Sequence, residues 1–146
     1  MRRLFLALAV LLLAACATPG GPAGDPAEVI AAAEAWGRAY DSRDPARIVA
    51  MYAPDATFWG TTMKSIATAP PAVAEYFKDA ASRPNGRVRF DSHKVLITGD
   101  TATDAGSYTF FDPVAGTSNP ARFTLVFARR HGKWVLVHHH SSRVPA

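Results

Sequence analysis

The sequence predicts an α+β domain: three N-terminal helical segments packed on a curved antiparallel sheet, closing into a cone with one open end. Three observations predict it. Apolar residues recur at helical spacing through residues 26–52 and again through 72–81. From residue 87 onward an alternation of period two replaces that spacing, the signature of strands with one buried face. The turn signals Gly99-Asp100 and His131-Gly132 then divide this second half into strands joined tightly enough to be antiparallel neighbours. Helices first and a meander after them is an α+β order, and 146 residues suffice for one such core.

The chain opens outside that domain. Met1-Arg2-Arg3 is basic and residues 4–13 are apolar, a run too short for a stable membrane span, so residues 1–15 read as a secretory signal peptide. Leu13-Ala14-Ala15-Cys16 resembles the bacterial lipobox, which makes Cys16, the only cysteine, the expected lipidated N-terminus of the mature protein. An ordinary signal peptide cut near Ala17 is the alternative. Ala17 rather than Asp after the cysteine favours an outer-membrane lipoprotein facing the periplasm. Residues 16–24, rich in Pro and Gly, form a flexible tether, and residues 25–146 form the domain. Loss of Arg2 and Arg3 leaves 14 basic residues against 12 acidic, a formal charge of +2 in place of +4. The remaining cations are scattered, so no nucleic-acid partner is expected.

Asp25-Pro26-Ala27-Glu28 is a helix start: an N-cap acceptor, Pro at the first helical position and an acid in the first turn. That helix runs to about residue 40, with Val29, Ala33, Trp36 and Tyr40 on one face. Asp44-Pro45 repeats the signal for a short second helix carrying Ile48, Met51 and Tyr52. Asp41, Asp44 and Asp55 read as caps and turn residues. Residues 57–62 read as a strand from their β-branched and aromatic content, and Pro70-Pro71 opens a third helix over 72–81 with Val73, Tyr76, Phe77 and Ala80 inward. Strands follow at residues 87–98, 101–111 and 121–129, giving with the last one about five in all.

The final strand carries the chemistry. Val135, Val137, His139 and Ser141 alternate onto one face, and Trp134, Leu136, His138, His140 and Ser142 onto the other, each face apolar first and polar last. Such an ending places imidazoles and hydroxyls at the mouth of a pocket between sheet and helices. The bland alternative is a strand end that leaves its histidines in solvent. Neighbouring strand residues point apart, so at most two of the three histidines could meet one metal ion, and a third ligand would have to come from His93 or His131. No cofactor is therefore expected, with zinc as the alternative. No G-x-G-x-x-G follows any strand, so no dinucleotide is expected either.

Trp36, Tyr52-Ala53-Pro54-Asp55-Ala56, Glu75-Tyr76-Phe77, Gly99-Asp100, Ala102, Gly106 and Gly132-Lys133-Trp134 together resemble the nuclear transport factor 2-like superfamily. Within it the resemblance is to the association domain of calcium/calmodulin-dependent kinase II and its bacterial relatives, over residues 25–146. His138-His139-His140-Ser141-Ser142-x-x-Pro145 is similar to the H-H-H-S-S-x-x-P signature of the iota-class carbonic anhydrases. That resemblance implies reversible hydration of CO2 to bicarbonate, with Thr61, Tyr76, His139 and Ser141 as catalytic residues and Ser142 at the substrate, and analogy with the kinase association domain's pocket adds Tyr108 as a further substrate-side wall. Met63-Lys64-Ser65-Ile66-Ala67 stands where those enzymes carry a polar stretch with Asn and Arg. The resemblance also implies positioned hydroxyls in place of a metal, with His139 orienting them or shuttling a proton, and a homodimer. The other reading is a non-catalytic ligand-binding or oligomerisation domain of the SnoaL-like or SgcJ/EcaC-like type.

Overall fold

The computed structural model describes residues 24–68 and 70–145. Cys16, the lipobox, the signal peptide and all but the last residue of the tether lie outside the described residues. Helix α1 (Pro26–Asp41) starts as its sequence requires: the Asp25 carboxylate accepts from the Ala27 N–H at 2.9 Å, and Val29, Ala33 and Trp36 are buried. Helix α2 (Pro45–Val49) is capped the same way by Asp44, at 2.9 Å from Ala46 N. Tyr52 is not on that helix. It opens strand β1 (Tyr52–Trp59), five residues before the expected strand, because tertiary pairing with the last strand overrides the helical spacing of Ile48, Met51 and Tyr52. Pro54 lies where that pairing is interrupted, between the Tyr52 and Thr57 pairs, so its missing N–H breaks no ladder bond.

Strand β2 (Ala67–Thr68) is a two-residue edge that no pattern announced. Helix α3 (Pro70–Phe77) stops short of residue 81 and is followed by a 3₁₀ turn at Ala80–Ser82. Strands β3 (Arg87–Thr98), β4 (Thr101–Asp112), β5 (Thr117–Arg130) and β6 (Lys133–Arg143) complete a six-stranded sheet ordered β2-β1-β6-β5-β4-β3. β1 pairs with β6 in parallel, so the sheet is mixed and the expected all-antiparallel arrangement holds only for the other pairs.

Two irregularities shape the site. Along β5 and β6, Val126 pairs with His138 and Phe127 with Leu136, so Val137 is an extra residue, a bulge. The bulge inverts the alternation: Leu136 joins His139 and Ser141 on the buried face, where strict period two had put it with His138. The other concerns β5, which begins four residues before the expected start. Its last partner on β6 is Arg143, opposite Ala121, so residues 117–120 are bonded to β4 alone and Pro120 is tolerated as on any sheet edge.

Asp55 and Asp41 correct the cap reading. Asp55 pairs bidentately with Arg130 at 2.8 and 2.7 Å, and Asp41 accepts the Val88 N–H at 2.8 Å, fixing the start of β3 to the end of α1. The Asp55 pair is on the surface and is worth little to stability. Gly106 tolerates no side chain: a Cβ there would sit 2.0 Å from the Ser92 carbonyl oxygen, beside the irregularity between Phe90 and Ser92. Gly106→Ala is expected to cost about 1–3 kcal/mol, read as a lower urea midpoint at unchanged slope.

Candidate functional site

The inner face of β6 meets the ends of α1 and α3 in a cleft of about 580 Å³. Thr61 and Tyr76 line it. The Tyr76 ring lies on Gly60, where a Cβ would fall 2.5 Å from its Cζ, so the glycine is what lets the phenol lie against the turn that carries Thr61. Ser141, 5% exposed, is hydrogen-bonded to Thr61 through the two hydroxyls. One step deeper, the Tyr108 phenol interacts with Ser141 and lies 3.3 Å from His139 Nε2. His139 is 1% exposed, edge-on to Trp36 at 4.8 Å between ring centroids, and its Nδ1 lies 2.8 Å from the Tyr52 hydroxyl.

The direction of this chain follows from its inner end. The Trp36 indole can only donate, and it donates to Tyr52 Oη at 3.0 Å. Tyr52 must then spend its own proton on His139 Nδ1, or a buried donor goes unsatisfied. A neutral imidazole that accepts at Nδ1 donates at Nε2, here to Tyr108. Tyr108 thereby keeps its own proton, and beyond it the Ser141 and Thr61 hydroxyls bond to each other, either one serving as donor. The donor order is thus set from Trp36 as far as Tyr108.

Burial governs the electrostatics. It pushes His139 down to about 3, with smaller contributions from the neighbouring His138 and His140, so the ring stays neutral across the physiological range. It pushes both Tyr52 and Tyr108 up, so each remains a phenol. A neutral His139 holds an acceptor toward Tyr52 and a donor toward Tyr108, the arrangement that orients both phenols.

The expected site residues separate accordingly. Thr61 and Tyr76 line the cleft, Ser141 stands directly behind them, and Tyr108 and His139 form the next layers. Ser142 does not join them: neighbours on a strand face opposite ways, and it lines a separate depression with Arg122 and His140. The three histidines disperse for the same reason. His138 Nδ1 lies 2.7 Å from Thr57 Oγ1, His139 meets the two tyrosines, and His140 lies against Trp59. Among the described residues no three His, Cys, Asp or Glu side chains converge as a metal-ligand set. Sequence reasoning missed Tyr52 and Trp36 as partners of the site, and also Arg43, Arg83 and Arg143, which line the cleft. Tyr52 was legible only to a reader who began the first strand at the Tyr-Ala-Pro-Asp segment. The arginines lie in three separate stretches and carry no sequence signal.

A family model described as a SnoaL-like domain matches residues 29–146. No curated protein matches the sequence. A Xanthomonas campestris structure assigned as a calcium/calmodulin dependent protein kinase II association domain is 30% identical, with a TM-score of 0.74 over 84% of this chain and 89% of that one. A Streptomyces avermitilis protein assigned as a dehydratase of the nuclear transport factor 2-like family is 19% identical, with a TM-score of 0.73 over 82% and 96%. A Parabacteroides distasonis protein assigned as a ketosteroid isomerase is 16% identical, with a TM-score of 0.66 over 80% and 85%. The last two likenesses are of fold.

Proposed function

This chain belongs to the SnoaL-like domain family of the nuclear transport factor 2-like superfamily, and from that premise we propose that its cleft catalyses the reversible hydration of CO2 to bicarbonate. The observation that carries the reading is the line of buried polar groups from Trp36 through Tyr52 and His139 to Tyr108, behind the Ser141–Thr61 hydroxyl pair at the cleft. Thr61, held in place by its hydroxyl bond to Ser141, and the Tyr76 phenol lie on the same wall of the cleft. Two donors held in advance around one carbonyl oxygen are what the step needs: as water attacks the carbon, negative charge grows on the oxygens of the forming bicarbonate. The protein does not have to reorganise to meet it. The water's proton leaves through the open cleft to solvent, since His139 is held too low to accept it.

The chemistry assigned to the two remoter fold relatives finds less support. Isomerisation or dehydration requires a base for a carbon-bound proton, and among the described residues no Asp or Glu lines the cleft. The competing reading is a binding or oligomerisation domain without catalysis.

Stopped-flow CO2 hydration on the purified protein, with and without chelator, separates these. Ser141→Ala and Tyr76→Phe are each expected to lower kcat/KM about 10²-fold or more while leaving the thermal midpoint within a few degrees. Wild-type activity in either variant removes that residue from the mechanism. Loss of activity on chelation replaces the hydroxyl mechanism by a metal-dependent one, and a folded protein with no activity leaves the binder.

A further inference from the structure

Away from the cleft, one histidine stands between two carboxylates where α1 crosses the sheet. Strand β3 carries an extra residue between Phe90 and Ser92, and this bulge turns His93 to the helix side, where it stacks on Phe90 with ring centroids 5.0 Å apart. Asp104, fully buried on β4, accepts from His93 Nδ1 at 2.7 Å, and its Oδ1 has no partner. From the other side Glu34 of α1 brings its Oε1 to 3.6 Å from His93 Nε2. Neither carboxylate pairs with a lysine or arginine among the described residues.

The donors and acceptors of this cluster do not close. Nδ1 donates to Asp104, so in the neutral ring Nε2 is a lone pair, and the Glu34 oxygen set against it is also an acceptor. Two acceptors in that position need a cation between them. A proton on Nε2 is one, but a charge-assisted N–H···O bond closes to about 2.7–2.9 Å. A tetrahedral zinc ion, with bonds of about 2.0–2.2 Å, holds two of its ligand atoms about 3.4 Å apart. The observed 3.6 Å fits the second spacing and not the first. Asp104 supplies what a metal-binding imidazole normally has behind it, a carboxylate that fixes the tautomer and raises the basicity of the ring. The Glu34 side chain is 45% exposed and that of His93 15%, so an ion can enter from solvent and water can fill its remaining positions.

We propose that His93 Nε2 and Glu34 Oε1 bind one zinc ion between α1 and β3, with Asp104 as the carboxylate behind the ring and water completing the coordination. Two protein ligands make an open, exchangeable site, and an imidazole nitrogen selects zinc over magnesium. The ion ties α1 to the sheet. None of the three residues lines the cleft, so the site stands whether or not the cleft hydrates CO2.

Titration calorimetry of the purified, chelator-treated protein with Zn2+, alone and in a tenfold excess of Mg2+, tests the assignment. Zn2+ is expected to bind with saturable heat, and Mg2+ to leave its Kd unchanged. Glu34→Gln is expected to raise the Zn2+ Kd at least tenfold, and Asp104→Asn to raise it about 10–100-fold through the orientation of the ring. His140→Gln, on an exposed histidine beside the separate depression on the sheet, leaves it unchanged. Zn2+ is also expected to raise the thermal midpoint of the wild type and not that of Glu34→Gln, a difference that lost packing alone does not produce. If Asp104→Asn does not fold, Glu34→Gln, on a half-exposed helix position, carries the test. Absence of saturable heat overturns the proposal and leaves a protonated His93 as the bridge. An unaltered Kd in Glu34→Gln overturns it as well, as does loss of binding in His140→Gln, which moves the zinc to another face.

Discussion

Lowering the pH from 7 to 5 is expected to remove about 2 kcal/mol of folding stability through His139 alone. In the unfolded chain its imidazole titrates near 6.5, and in the folded protein burial, with the smaller influence of His138 and His140, holds it down to about 3. The folded value is the lower of the two, so the contribution is complete above pH 6.5. It is lost between pH 6.5 and about 3, where the unfolded chain takes up a proton that the native state refuses. The slope in that window is about 1.4 kcal/mol per pH unit. Urea unfolding of the wild type and of His139→Gln at the two pH values measures it. Glutamine keeps an acceptor for Tyr52 and a donor for Tyr108 but does not titrate, so the variant should lose about 2 kcal/mol less than the wild type over the same interval. Surface carboxylates such as Asp55 and Asp91 contribute equally to both proteins and cancel in the comparison. Parallel losses in the two proteins would mean that His139 is not held neutral.

The same residue shows how far the sequence can be read. That His139 and Ser141 share a face follows from strand periodicity, and the structure places both on the buried side of β6. That Leu136 shares it too does not follow, because a one-residue bulge at Val137 leaves no trace in an alternation that is apolar on both faces before it. The Asp-Pro starts at residues 25–26 and 44–45 were legible because capping is local chemistry. The parallel pairing of β1 with β6 was not, since it joins Tyr52 to Leu136 across most of the domain, and local propensity at residues 48–52 favoured a helix. The family resemblance supplied Thr61 and Tyr76, whereas Tyr52 and Trp36 read as ordinary core aromatics. Their part in the site appears only when their polar atoms are followed to His139. Arg43, Arg83 and Arg143 show the same limit at its strongest: three unremarkable cations become one charged wall by folding alone.

Removing His93 is expected to cost about 3–5 kcal/mol, the largest effect of any single substitution considered. Asp104, on β4, is fully buried; its Oδ2 accepts from His93 Nδ1 at 2.7 Å, and its Oδ1 has no partner. The imidazole also stacks on Phe90 at 5.0 Å and meets the edge of Phe123 at 5.8 Å, with Glu34 3.6 Å from its Nε2. His93→Ala therefore does two things: it empties an aromatic slot, and it leaves a carboxylate in the interior with neither oxygen bonded. The second effect dominates, because an orphaned buried charge is penalised more heavily than a small cavity. A double-mutant cycle isolates it. In an Asp104→Asn background no charge is left to strand, so the same His93→Ala change is expected to cost at least about 1.5 kcal/mol less, by denaturant unfolding at pH 7. Asp104 is out of contact with water, so the coupling should persist in molar salt, where the Asp55–Arg130 surface pair is screened. Equal costs in the two backgrounds would reduce His93 to a packing residue, and a coupling abolished by salt would place Asp104 in solvent.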